Sequence, residues 1–304
     1  MPSLSARLSN MIARVTVKRV LNGPELKLHA VRRAIASRTG LPNAFPSGVR
    51  VEPSTVATLP GEWITPAQVQ HDGVIVFMHG GGYLAGSPKT HRALTTWLAH
   101  RAGMRLFSLD YRLAPEAPFP AGLDDAVRAM HAIVASGTPM SKIVLCGDSA
   151  GGGLLLATML RLRDEGAPLP AGAALICPLT DCTGQSKSLV TNAESEPLLG
   201  LRHRDVAMKL YAGKTPLEHP YLSPLYADLR GLPPMLVEAS RIEVLWDDAA
   251  RFVEKAKEAG VDMTFVPHDG LAHDWQVMVP FTPESRASVR RIGAFLATLI
   301  ARAP

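Results

Sequence analysis

A chain of 304 residues with 47% hydrophobic and 19% charged residues has the apolar content of a folded globular protein and not that of a disordered one. Its net charge of +5 comes from lysines and arginines scattered outside an N-terminal cluster, and aromatics make up 6% of the chain; without a basic stripe or a stacking platform, nucleic-acid binding is not expected. Three cysteines, Cys146, Cys177 and Cys182, make no disulfide framework, and no further Cys or suitable His beside the last two completes a metal site, so a reduced, cytoplasmic setting is expected.

The first acidic residue is Glu25. Before it, Leu4, Leu8, Met11, Ile12 and Val15 recur at helical spacing, with Arg7, Arg14 and Lys18 among the other positions. This predicts an amphipathic helix whose apolar stripe packs on the domain; a transit segment and a helix on a membrane surface are the other readings. No apolar run reaches membrane-spanning length. Residues 1 to about 45 read as helical with no core strand following.

From about Gly73, short apolar runs alternate with longer helical patterns, which predicts an α/β fold with a mostly parallel sheet. Residues 73–80 read as a strand ending at His79, 90–103 as a helix closed by Gly103, 104–111 as a strand and 122–136 as a helix. Ile143 to Cys146 is the next strand, and the apolar run from Leu154 a buried helix. Strands follow at 172–179 and 233–240, then a helix at 244–260, a strand at 261–270 and a closing helix at 284–300. The stretch from about 184 to 213 interrupts this series as an insertion at a strand end, where such sheets build ligand sites. No repeat or linker divides the chain, so residues 1–304 are read as one domain.

Chemistry is concentrated at three strand ends. Gly147-Asp148-Ser149-Ala150-Gly151 stands between strand and helix, and a turn that sharp needs residues without Cβ where the two close on each other. This is the pattern of a nucleophile elbow; a plain glycine turn or phosphate loop is the alternative. The Walker and dinucleotide patterns are absent. "HGGGYLAGS" (79–87) offers backbone N–H groups that, with the N–H of Ala150, would face a developing oxyanion. The base should follow the last strand, where His268 and His273 compete; His273 is deeper in the loop and preferred, and His268 is near enough to the strand end to be structural. His79 is read as holding the glycine loop by hydrogen bonds. The remaining histidines, His91 and His219 among them, read as mostly solvated. The acid should follow strand 233–240. Glu238 lies within that strand, Asp247 and Asp248 suit a helix N-terminus, and Glu243 in the loop is the preferred acid, with Asp247 the runner-up.

Taken together, "HGGG", "DYRLAPEAPFPA", "GDSAGG", "SPLYADLRGLPP" and "GLAHDW" resemble the hormone-sensitive-lipase-like family of α/β-hydrolases, the bacterial family IV esterases, from about Gly73 to the end. The resemblance implies an α/β-hydrolase fold with a helical cap, here about 1–45 and 184–213. It also implies carboxylester hydrolysis with Ser149 as nucleophile, His273 as base, and Gly81, Gly82 and Ala150 as oxyanion donors. Arg112 and Glu116 would serve fold-stabilising ion pairs. Two departures stand out. Glu243 takes the place of the family's usual aspartate and is one methylene longer, and His219 stands where an aspartate is common. The expectation is a serine esterase with a Ser-His-Glu triad, acting on short- to medium-chain acyl esters without cofactor or metal. Its partner would be a small ester, with no nucleic acid, no stable membrane insertion and a homodimer left open. An amidase or deacetylase with the same triad is the alternative, and a non-catalytic binding protein on this fold is the more distant one.

Overall fold

A computed structural model describes residues 1–36 and 45–302; the end of the stretch read as helical to about 45 lies outside the described residues. Its strands are β1 (Arg50–Val56), β2 (Leu59–Thr65), β3 (Val74–Met78), β4 (Arg105–Leu109), β5 (Ile143–Asp148), β6 (Gly172–Ile176), β7 (Met235–Ser240) and β8 (Met263–His268). They form one sheet in the order β1-β2-β4-β3-β5-β6-β7-β8. From β4 to β8 neighbouring strands run parallel, whereas β1–β2 and β2–β4 are antiparallel.

The N-terminal helices are α1 (Leu4–Ala13), α2 (Arg19–Leu21), joined to α1 by a π-helical turn (Arg14–Lys18), and α3 (Leu28–Ala36). Then come α4 (Pro88–Ala102), α5 (Ala121–Ala135), α6 (Ala150–Asp164), the short α7 (Ser188–Thr191), α8 (Arg204–Ala212), α9 (Trp246–Glu258) and α10 (Pro283–Arg302). Side chains alternate across the sheet. Val74, Val76 and Met78 of β3 join the core under α5, α6 and α9, while Ile75 and Phe77 join the core under α4 and α10. Both faces are covered, which is why these strands read as unbroken apolar runs.

Four features differ from the sequence reading. The β1–β2 hairpin was not anticipated, because Glu52, Pro53, Pro60 and Glu62 break any apolar run and the outer strand is largely solvated. Helix α6 begins at Ala150 rather than near Leu154, since the glycines that would weaken an exposed helix are all buried here. His91 is buried in α4 rather than solvated. The N-terminal helix, finally, is turned the other way. Ala6, Ala13 and Val17 face inward, and Leu4, Leu8, Met11, Ile12 and Val15 are each more than half exposed. Periodicity identifies a stripe but not the direction it faces, and the small residues are what let this helix sit close to the loop after β8.

Arg112 and Glu116 of "DYRLAPE" make separate pairs. Arg112 binds Asp125 through Nε and Nη2, both at 2.8 Å. Glu116 takes two hydrogen bonds of 2.7 Å from Arg32 of α3, whose Nε also reaches the carbonyl of Leu84. His219 accepts from the Tyr221 amide and packs against Phe119 and Tyr221.

A Cβ on Gly151 would fall on the carbonyl of Met78 and within 2.7 Å of that of His79, both backbone atoms of the central strand. Gly151→Ala should therefore destabilise the fold by about 1–3 kcal/mol or more, the usual cost of overpacking a core that cannot yield. Chemical denaturation reads this directly; an unchanged midpoint would mean that α6 can shift off β3.

Candidate active site

Ser149 joins β5 to α6 with φ 52° and ψ −120°, a conformation that costs a residue with a side chain and is held by its surroundings. Its N–H donates 2.8 Å to the carbonyl of Ile176, and its own carbonyl accepts from Leu179 (2.9 Å) and Gly153 (3.2 Å). The turn is thus tied to β6 on one side and to α6 on the other. Ser149 borders the main cavity, and among the described residues its hydroxyl enters no hydrogen bond. Ala150 occupies the first helical position, where the N–H has no intrahelical acceptor.

The glycine loop lies opposite. Gly81 and Gly82 have φ of 121° and 64°, and a Cβ on Gly81 would collide with the carbonyl of Ala85. The Gly81 carbonyl accepts from Leu84 and Ala85, while the N–H groups of Gly81 and Gly82 donate to no acceptor among the described residues. Asp148, next to the serine, accepts 3.0 Å from Gly80 N–H, and its other oxygen lies 3.1 Å from His91 Nε2. Burial opposes charge on Asp148, but the charge and hydrogen bond of His91 outweigh it and hold the carboxyl below its usual range. His79 bonds the Gly80 carbonyl through Nδ1 at 2.9 Å and stacks on Tyr111 at 4.3 Å. Burial, aided by His91, pushes its pKa down to about 3, so it is a neutral strut.

His273 and Glu243 come from the loops after β8 and β7. His273 Nδ1 lies 2.5 Å from Glu243 Oε2, and Glu243 Oε1 accepts 2.8 Å from the Ser240 amide; both side chains are buried. His268 instead meets Glu238 at 3.2 Å, and the same carboxylate binds Arg291 (2.7 Å) and Ser288 (2.6 Å). Asp247 accepts from the Ser188 amide. Asp248 accepts from the amides of Thr180 and Asp181 and from the Ser186 hydroxyl, and burial raises its pKa to about 7. Both acids hold the start of the 184–213 region, a larger task than capping their own helix.

Two acids beside His273 escaped the sequence reading. Glu196, from the insertion, accepts from the His273 amide at 3.4 Å, and burial raises its pKa. Asp274, at φ 53°, puts Oδ2 3.0 Å from His273 Nε2, but off the line of a hydrogen bond, so Nε2 has no bonded partner. Burial lowers the pKa of His273, yet the charges and contacts of Asp274 and Glu243 leave it well above 6.5. Asp274 itself is raised by burial and then by Asp148. Chain separation hides Glu196, since no spacing rule links residue 196 to 273. Cys177 Sγ, Glu243 and His273 also lie within 4.8 Å of one another. Burial raises the thiol pKa and keeps it protonated, and the other two residues already bond each other, so this trio does not have the character of a metal centre.

Gly80–Gly82, His91, Asp148, Ser149, His273 and Asp274 border a cavity of about 650 Å³, within the size range of small-molecule sites. Its walls are mainly aliphatic: Val17, Leu21 and Val31 come from the N-terminal helices and Leu198, Leu201 and Met208 from the insertion.

A family model for the alpha/beta hydrolase fold matches residues 75–277. The chain is 40% identical over 245 residues to an acetyl-hydrolase of Streptomyces hygroscopicus, which covers 80% of this chain and 81% of that protein. It is 36% identical over 252 residues to an esterase of Acinetobacter venetianus, covering 83% of each. Among solved structures, an esterase from the bacterial hormone-sensitive lipase family matches with a TM-score of 0.92 at 38% identity over 99% of both chains. EstE5, soaked with p-nitrophenyl butyrate, matches at 0.92 and 35% identity over 98% of this chain and 99% of that one. The chain therefore belongs to the α/β-hydrolases, in their hormone-sensitive-lipase-like branch. Within that branch it is a carboxylic ester hydrolase.

Acting as a base, His273 would work only when neutral, so its raised pKa would remove activity as pH falls through the raised value. The acid limb of kcat/KM should lie above pH 6.5. Asp274→Asn keeps a residue that tolerates positive φ but deletes the charge, and should move that limb down by about one pH unit. A limb that stays in place would mean that Asp274 does not act on the imidazole.

Proposed function

We propose that this hydrolase cleaves short- to medium-chain acyl esters through an acyl-enzyme on Ser149, with His273 as base and Glu243 as its orienting acid. The reading rests on the buried Glu243–His273 pair, whose imidazole borders the same cavity as Ser149. Ser149 Oγ attacks the ester carbonyl while its proton passes to His273 Nε2. The imidazolium so formed is stabilised by Glu243, and the tetrahedral oxyanion by the N–H groups of Gly81, Gly82 and Ala150. Collapse breaks the bond to the alcohol, which takes the proton from His273. Water then repeats the sequence and releases the acid. The Ser149–His273 bond forms with substrate in place, as catalytic hydrogen bonds of free enzymes often do.

The N-terminal helices and the 184–213 insertion act as the cap that bounds the pocket. Similarity to an acetyl-hydrolase favours small acyl groups, and the aliphatic walls favour an apolar alcohol or a somewhat longer chain in the remaining space. With a series of p-nitrophenyl esters, kcat/KM should peak between acetyl and hexanoyl and fall by about an order of magnitude or more at dodecanoyl. Anilides run alongside should be slow; faster anilide turnover would make it an amidase.

Ser149→Ala keeps the turn, because alanine bears the same positive φ, and should lower kcat by roughly 10⁶-fold in a protein with an unchanged melting curve. Adding His273→Ala should cost little more, since members of a triad act as a unit. Additive losses would place His273 outside that unit.

Glu243→Gln should lower kcat by about 10²–10⁴-fold, with Glu243→Asp partly active. Asp247→Asn should mainly affect stability. The opposite ranking, measured on folded proteins, would transfer the role of acid to Asp247.

A further inference from the structure

The outward-facing stripe of α1 and the π-helical turn that continues it has no part in the hydrolytic site. Leu4, Leu8, Met11, Ile12 and Val15 project from one side, each more than half exposed, on a helix whose packed side is made of Ala6, Ala13 and Val17. A water-facing helix normally has the reverse arrangement, and contiguous exposed aliphatics mark a surface that meets another phase or molecule.

Charge identifies the partner. No acidic residue occurs in the first 24 positions. Arg7 and Arg14 flank the stripe and bond only neutral groups, Arg7 the carbonyl of Pro2 and the sulfur of Met1, and Arg14 the carbonyl of Ser195. Arg7, Arg14 and Arg19 enter no ion pair among the described residues. The nearby acids are differently placed: Glu284 is bonded to the amide and hydroxyl of Ser3, and Glu194 acts on Lys18. A second copy of this chain would bring the same cations face to face, whereas an anionic lipid surface offers both hydrocarbon for the stripe and phosphate for the arginines, whose long side chains reach from one to the other.

Position agrees. Ile12, Thr16 and Val20 border the 650 Å³ cavity, as does Phe281, itself 41% exposed. The stripe therefore runs into the rim of the pocket that holds Ser149.

We propose that the outer face of α1, with Arg7, Arg14 and Arg19, docks the enzyme on anionic lipid surfaces. The pocket mouth then opens onto the membrane interface, and esters dissolved there enter without crossing water. The docking stands by itself; the delivery of substrate rests on the reading of the cavity as the ester site.

Flotation of the Ser149→Ala protein with phosphatidylcholine vesicles, with and without phosphatidylglycerol, tests docking apart from catalysis. Binding should appear with phosphatidylglycerol and weaken as salt is raised. Leu4→Ser/Leu8→Ser/Val15→Ser, none of which lines the cavity, should lower it by about tenfold or more, with the melting curve and the turnover of soluble p-nitrophenyl acetate unchanged. Arg7→Gln/Arg14→Gln/Arg19→Gln should abolish the preference for phosphatidylglycerol. Absence of vesicle binding, or binding indifferent to the three serines, would overturn the proposal. So would a dimer, seen by sedimentation, that dissociates in the serine variant and does not float. Loss of ester turnover in the wild type with vesicle binding intact would overturn the catalytic reading alone.

Discussion

The carbonyl oxygen of Met78, at the end of the central strand, permits no side chain on the residues opposite it. Gly151 and Gly147 both lie against it, the latter with a would-be Cβ 2.8 Å away. That close approach brings α6 down onto the sheet, and the chain between the two glycines can make the turn only by lifting Ser149 into positive φ. The strained residue is thus a by-product of backbone packing that no side chain can relieve. The neighbouring residue extends the effect. Asp148 grips the Gly80 amide with one oxygen and His91 with the other, so the serine turn and the glycine loop share one buried carboxylate and cannot move independently.

Around His273 the structure gathers more acid than a single imidazole can neutralise. Glu243, Asp274 and Glu196 all act on it, and Asp148 lies close enough to raise Asp274. In a medium of low dielectric, several ionised carboxylates cannot coexist without cations. Asp148 stays charged because His91 is its own partner, and Glu238 because Arg291 and His268 are. Glu196 and Asp274 lack such partners and hold their protons to higher pH. Electrostatics therefore sorts these acids by partner.

The alternation of β3 to β8 with their helices was legible because strands buried on both faces leave apolar runs. The β1–β2 hairpin was not, because Glu52 and Pro53 stand on the solvated edge strand and Glu62, though buried, is a charge paired with Arg92. Ser149, Glu243 and His273 were singled out by their place after strands; Ser149 and His273 border one cavity, and Glu243 lies behind His273, bonded to its Nδ1. Asp274 and Glu196 were invisible for opposite reasons: one is adjacent to His273 and looked like ordinary loop polarity, the other is 77 positions away. The direction of the α1 stripe was also beyond the reach of the sequence, since a hydrophobic period does not say which side is crowded. Here crowding chose the alanines.

Those alanines have a consequence for how firmly the front of the molecule is held. Among the described residues, the cluster that seats the N-terminal helix against the insertion contains Ala13, Val17, Leu198 and Ala272, with Leu21 at its margin. The Arg32–Glu116 pair that anchors α3 is in contact with water, where ion pairs contribute little. Val17, Leu21, Val31 and Leu198 all line the cavity, so a guest that fills it would become a piece of the hydrophobic core shared by both segments. Occupancy and cohesion are then linked quantities. The segments that enclose a ligand are tightened by it in proportion to the logarithm of its concentration over Kd, and they loosen again as each product leaves.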